Sequence, residues 1–372
     1  MTNTKDSASQ LQAALEAAVQ SPDTNFPGAV LHVHSPEFGP WNGAAGLGEI
    51  ETATAMEPDD RFRAGSVMKP FVAVATLQLV EEGRFSLDGL MTALLPDSIT
   101  SRFVTSDQIT MRMLLNHSSG IPEWLTDAAG AEIAANPTRV RTVDEYLQLA
   151  AAQEPYFPPG KGFTYSNTDY NLLGLVIEQT TDRSWREEVR ERVIEPLHLD
   201  DALLPEPGDL SIPGNYAHGY LDMGGNLVDM TEMDPSMAGA AGGHALVSTT
   251  MDLARFLEAA LAGELFQEAG TLDEMLAFVD MPQDASSSGL AVGYGLGIMK
   301  YVLPGGIEML GHAGTTGGYQ CFVYNLPAQG ITISGMMNNM ESDQMQLVFP
   351  AIEILVRYIG KGHAQGKVVI TV

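Results

Sequence analysis

The spacing of apolar residues changes period twice along the chain. Residues 10–19 place Leu11, Ala14, Leu15 and Ala18 at helical intervals and stop at Ser21-Pro22-Asp23, which predicts an N-terminal helix. Residues 28–34 and 41–47 then read as strands, with Pro40 and Gly43 as punctuation. From Ser66 the helical period returns, with Phe71, Val74, Leu77 and Val80 in phase until Gly83. Further helices are predicted over 111–116, 142–150, 171–181, 185–193 and 249–261. The one at 142 opens with Thr142-Val143-Asp144-Glu145, the spacing of a capping box. Beyond Gly293 short strands follow one another (295–301, 307–310, 320–325 and 330–336), separated by Gly305-Gly306 and by the turn at 327–330. A last helix spans 344–359, with Pro350 as its kink or its start. Successive strands joined by short turns predict an antiparallel sheet. The simplest packing lays both terminal helices on that sheet and inserts a mainly helical unit, which makes the chain α+β. The expected units are 1–69 with 241–372 for the sheet, and 70–240 for the helices.

Composition narrows the partners. The 372 residues are 45% hydrophobic, and 19 basic against 47 acidic residues leave a formal charge of −28. So acidic a surface repels phosphate backbones and anionic lipid, which excludes nucleic acid as a main partner. No apolar run approaches the roughly 18 residues of a membrane span. The first residues, Met1 to Asp6, hold no apolar core, so no signal peptide is read and a soluble, cytoplasmic protein is expected; an exported mature form stays open. The single cysteine, Cys321, rules out an intramolecular disulfide and a Cys-based zinc cluster, and reads as a buried strand residue. His117 reads as a loop histidine that satisfies carbonyls. His198, His218 and His244 have no metal-ligand spacing, and Asp59-Asp60 and Asp200-Asp201 read as solvated turn pairs. Met223, Met230, Met233 and Met237 read as core fillers. No cofactor and no metal are expected, and oligomeric state is not encoded.

Three short motifs could carry chemistry. Ser66-Val67-Met68-Lys69 places a hydroxyl and an amine on one face at the start of a helix, where a lysine of lowered pKa can deprotonate the serine. The Ser66 N–H, at a helix N-terminus, can serve an oxyanion hole. Tyr165-Ser166-Asn167 puts a phenol and an amide on the same side of an extended segment, one to pass protons and the other to hold a carbonyl. In Gly311-His312-Ala313-Gly314-Thr315 small residues would let a substrate backbone approach, with the Thr315 N–H as a second oxyanion donor. Each motif alone is weak.

Together, in this order, they resemble the penicillin-recognising serine hydrolases: class C β-lactamases, Streptomyces-type D-Ala-D-Ala carboxypeptidases, D-amino-acid amidases and aminopeptidases, and β-lactamase-like esterases. The likeness extends to Phe62-Arg63-Ala64-Gly65, Leu114-Leu115-Asn116-His117-Ser118-Ser119-Gly120, Ala240-Ala241-Gly242-Gly243, Ser248-Thr249-Thr250-Met251-Asp252 and Gly293-Tyr294-Gly295-Leu296-Gly297, and covers roughly residues 25–340. It implies a β-lactamase/transpeptidase-like fold with the site in a cleft between sheet and helical units. It also implies an acyl-enzyme mechanism: Ser66 as nucleophile, Lys69 and Tyr165 handling its proton, and Asn167 with the N–H groups of Ser66 and Thr315 holding oxyanion and substrate. Ala313 and Gly314 would line the same strand, and His312 would assist protonation or docking. Which of Lys69 and Tyr165 is the base stays open.

The chain departs from the carboxypeptidases at two points. Where they carry an arginine after the Gly-Tyr-Gly-Leu-Gly segment and a threonine inside the His-x-Gly motif, this sequence has Met299 and Ala313, neither of which pairs with a carboxylate. Lys300 is adjacent, but on a strand it faces the other side. The expected partner is thus a small-molecule or short-peptide substrate: an amide or peptide of a D-amino acid, or a simple ester. A D-Ala-D-Ala carboxypeptidase, a β-lactamase, or a sensor that is acylated without turnover are the alternatives.

Overall fold

The computed structural model of the protein describes residues 2–239, 245–282 and 289–362; the Ala240-Ala241-Gly242-Gly243 motif, His244 and the expected boundary at 240/241 lie outside them. Nine antiparallel strands form one sheet: β1 (Gly28–His34), β2 (Trp41–Glu49), β3 (Thr54–Ala55), β4 (Val279–Asp280), β5 (Ala291–Tyr294), β6 (Met299–Val302), β7 (Glu308–Thr316), β8 (Tyr319–Leu326) and β9 (Ile331–Met337). Their order is β3-β2-β1-β9-β8-β7-β6-β5-β4. The first strand closes on the last, with Ala29 opposite Met337, so the two ends of the chain build one sheet.

Strand periodicity sorts the side chains onto two faces. Leu31 and Val33 of β1 and Phe322 and Tyr324 of β8 point into a core shared with the terminal helices α1 (Thr2–Gln20) and α5 (Met345–Gly362). Val30, Cys321 and Val323 point the other way, into a larger core that runs on into the helices. The antiparallel sheet flanked by terminal helices is thus observed as expected.

The helix after Ser66, α2 (Met68–Glu81), is not amphipathic: Met68 to Leu77 are buried on every side. A helix with no polar face belongs inside the molecule. Its Phe71 stacks on Phe256 of α4 (Thr250–Leu261), ring centroids 3.6 Å apart. Four other expectations change. Helix α3 begins at Asn167 rather than 171 (Asn167–Thr181). Strand β7 runs through residue 316 rather than stopping at 310, so the His312 motif lies within the strand. Asp60 is buried rather than solvated, and its carboxylate accepts the Glu57 N–H at 2.8 Å. Met230, Met233 and Met237 are core residues, whereas Met223 is exposed. No helix among the described residues is long and apolar enough to cross a membrane.

Candidate active site

Ser66 sits in the tight turn Gly65–Val67 that leads directly into α2. Gly65 has φ +53°, and a Cβ there would lie 2.8 Å from the Thr315 nitrogen; a Cβ on Gly314 would come within 2.1 Å of the Ala64 carbonyl oxygen. Both glycines are therefore needed for β7 to pass this close to the turn. The buried Cys321 thiol donates to the same Ala64 carbonyl (3.0 Å), pinning the turn to β8. Pairing of β7 with β6 ends at Gly311, while pairing with β8 continues to Thr316. Beside the Ser66 turn, the Ala313–Thr315 edge is left without a neighbouring strand among the described residues, an open edge suited to an extended substrate backbone.

Lys69 is one helical turn on from Ser66 and completely buried. Its Nζ donates to Ser66 Oγ at 3.2 Å and to Asn167 Oδ1 at 2.7 Å, and lies 4.7 Å from the centre of the Tyr165 ring. Burial lowers its pKa to about 7, although the carboxyls of Glu123 and Asp169 act to hold it up. The amine is therefore poised between ammonium and free base at neutral pH.

The Tyr165 hydroxyl is buried and approaches the Ser66 hydroxyl without closing a well-aligned hydrogen bond. Burial raises its pKa well above the usual phenol range, against a smaller opposing pull from Ser66, so the phenol keeps its proton. Asn167 opens α3 with its amide held at both ends. Oδ1 accepts from Lys69, while Nδ2 donates to Glu123 Oε2 at 3.1 Å. The same carboxylate oxygen accepts the Asn167 backbone N–H (2.5 Å), and its partner oxygen accepts that of Leu125 (2.7 Å). Glu123 thus fixes which way the Asn167 amide faces.

His312 is buried and neutral, its pKa lowered to about 3 mainly by burial. Nδ1 lies 2.6 Å from the Ala313 carbonyl and Nε2 lies 3.0 Å from the Tyr294 hydroxyl. The tautomer those partners require donates from Nδ1 and accepts at Nε2. Both nitrogens are engaged, and the ring stands 6.2 Å from that of Tyr165. Met299 accepts the Tyr301 hydroxyl on its sulfur, and Lys300 is paired with Glu308 at 2.6 Å. Elsewhere, His218 is paired with Asp229 at 2.7 Å and lies 3.7 Å from Glu49.

The fold thus gathers Ser66, Lys69, Tyr165, Asn167 and His312, with Gly314 and Thr315 against the serine turn. The sequence reading missed Glu123. Its only local signal is an acid soon after Ser119-Gly120, and nothing in that spacing separates it from a surface glutamate. Because Glu123 raises the proton affinity of Lys69, Glu123→Gln should move the Lys69 titration below pH 7. Following the lysine by 15N NMR checks this, and an unmoved titration would show that the two charges do not interact.

Comparison with known proteins bears on the family and the fold. The chain matches the Beta-lactamase family over residues 11–355. Among solved structures it is similar to a D-stereospecific amidohydrolase from Streptomyces sp., with 32% identity, a TM-score of 0.80, and 92% of this chain and 97% of that one covered. Penicillin-binding protein 4 of Amycolatopsis lactamdurans is 27% identical over 302 residues, 79% of this chain and 76% of that protein. Esterase EstB of Burkholderia gladioli is 33% identical over 180 residues, which is 46% of this chain and 45% of the esterase. With a family match spanning most of its length, the chain belongs to the beta-lactamase family.

Proposed function

We propose that the protein is a serine hydrolase that forms an acyl-enzyme on Ser66 and acts on amides or peptides of D-amino acids, or on simple esters, that lack a carboxylate beside the scissile bond. The observation that carries this reading is the buried Lys69 amine 3.2 Å from Ser66 Oγ with its pKa lowered to about 7. A neutral amine at that distance can take the serine proton as the hydroxyl attacks the carbonyl. Tyr165, protonated and beside Ser66, then passes a proton to the leaving group. The N–H groups of Ser66 and Thr315, with Asn167, hold the developing oxyanion. Water releases the acyl group by the reverse proton path. His312 has both nitrogens occupied, so its part is to hold Tyr294 and shape the wall rather than to carry a proton. In this reading the cleft lies between a sheet unit, 1–69 with 241–372, and a helical unit, 70–240.

Site electrostatics support the substrate class. The Glu123 carboxylate acts on Lys69, Lys300 is neutralised by Glu308, and Met299 and Ala313 offer no cation. Such a site favours a substrate ammonium over a carboxylate. The likeness to a D-stereospecific amidohydrolase points the same way.

A panel of D- and L-amino-acid amides, p-nitrophenyl esters, a D-Ala-D-Ala peptide and nitrocefin tests the assignment. Faster turnover of D-amides or esters is expected. A clear preference for the D-Ala-D-Ala peptide or for nitrocefin would replace it with a carboxypeptidase or β-lactamase. A single burst with no steady state would make the protein an acylated sensor. Tyr165→Phe should slow turnover about 100-fold or more; an unchanged rate would remove the phenol from the proton path.

A further inference from the structure

We propose that His117 is the positioning residue of Tyr165; the inference rests on the reading of Tyr165 as the proton carrier. His117 stands in the left-handed region (φ +59°), just beyond the helix Met111–Leu115. From there it holds both backbone amides that flank Tyr165. Its carbonyl oxygen accepts the Thr164 N–H at 3.1 Å, and its Nδ1 accepts the Ser166 N–H at 3.3 Å. Its ring also packs on the phenol ring, centroids 4.5 Å apart, and is backed by Tyr294 at 4.7 Å and Tyr170 at 5.3 Å. One residue therefore fixes the backbone on either side of Tyr165, its carbonyl before and its imidazole after, and the imidazole also covers one face of the phenol ring.

The clamp is itself anchored. Nδ1 lies 3.0 Å from Asp169 Oδ2, while Asp169 Oδ1 accepts the Ser119 hydroxyl at 2.6 Å. Asp169 belongs to α3, two residues beyond Asn167, whose amide meets Lys69. Through this contact the Tyr165 segment is tied to the helix start that presents the Asn167 amide. Histidine and acid are both buried, and burial favours the neutral form of each: the imidazole pKa goes down and the carboxyl pKa goes up. The single lone pair of a neutral Nδ1 then accepts chiefly the Asp169 proton at 3.0 Å and, as the longer branch, the Ser166 N–H at 3.3 Å, so the contact is a fixed hydrogen bond rather than an ion pair.

Nothing in this arrangement needs His117 to meet substrate. Its effect is on where the phenol oxygen stands relative to Ser66, and proton transfer is sensitive to misplacement of that order. A glycine suits the left-handed backbone, so His117→Gly removes ring and Nδ1 without straining the chain. Asparagine also tolerates that backbone and can return an acceptor to Ser166.

The test measures kcat and KM on a p-nitrophenyl ester for H117G, H117N, Y165F and the two double variants. H117G should lower kcat about 10- to 100-fold with KM little changed. H117N should recover part of the loss, because it restores the amide bond but not the ring contact. In the Y165F background either His117 substitution should cost little more, since the group it positions is gone. Full kcat in folded H117G, or undiminished losses in the double variants, overturns the inference. Should H117G fail to fold, the H117N and Y165F cycle decides on the same criterion. Y165F with unchanged kcat would instead overturn the proton-carrier reading itself, whereas slow Y165F with fully active His117 variants rejects the His117 role alone.

Discussion

Ser66→Ala is expected to lower kcat by at least about 10,000-fold, the scale on which loss of a nucleophile removes its whole catalytic unit. Folding should hardly change. The Ser66 side chain is half-exposed in its turn, and the hydrogen bond that it loses comes from Lys69, which keeps Asn167 Oδ1 at 2.7 Å. The stability cost should therefore stay near 1 kcal/mol, the worth of one ordinary hydrogen bond. Two measurements check this. Steady-state hydrolysis of a p-nitrophenyl ester reads the rate, and intact-mass spectrometry after mixing reads the acyl adduct. An adduct of unchanged yield in S66A would place the nucleophile elsewhere.

Lys69→Met should cost about 1,000-fold or more in kcat, because methionine fills the same buried channel and supplies no base. The wild-type profile carries the sharper signature. The free amine is the reactive form, so kcat/KM should rise with pH through about 7 and flatten above it. The sign for stability is fixed by the same numbers. The folded pKa is about 7 and the ordinary value is 10.5, so between them the unfolded chain holds a proton that the folded chain does not. This group's contribution to stability therefore rises with pH across that window, and its full penalty is felt below it. A K69M protein that retains the acidic limb near pH 7 would assign that limb to another group.

How much of this could be read from the sequence depends on the range of the forces involved. The strands Gly28–His34 and Tyr319–Leu326 and the capping box at Thr142 were legible because alternation and capping are local. Ser66 with Lys69 was legible because three residues of helix bring them together. Strand β7 was foreshortened in the reading because Gly311, Ala313 and Gly314 have little strand propensity; tertiary contact with the serine turn, which demands small residues, makes the strand there. Glu123 and the true place of His117 were illegible for a different reason. Their partners, Asn167 and Asp169, lie about fifty residues on, and only the closed fold shows that these carboxyls and the imidazole gather around the start of one helix. His312 was legible as a residue, but its hydrogen bonds to Tyr294 and to the Ala313 carbonyl were not, since that engagement is a property of packing.

The outermost strands of the sheet, Thr54–Ala55 and Val279–Asp280, are two residues each. A stray extended chain alighting on either flank meets too few unsatisfied amides and carbonyls to zip up beside it. End strands this short make poor seeds for fibril-like growth, however broad the sheet between them.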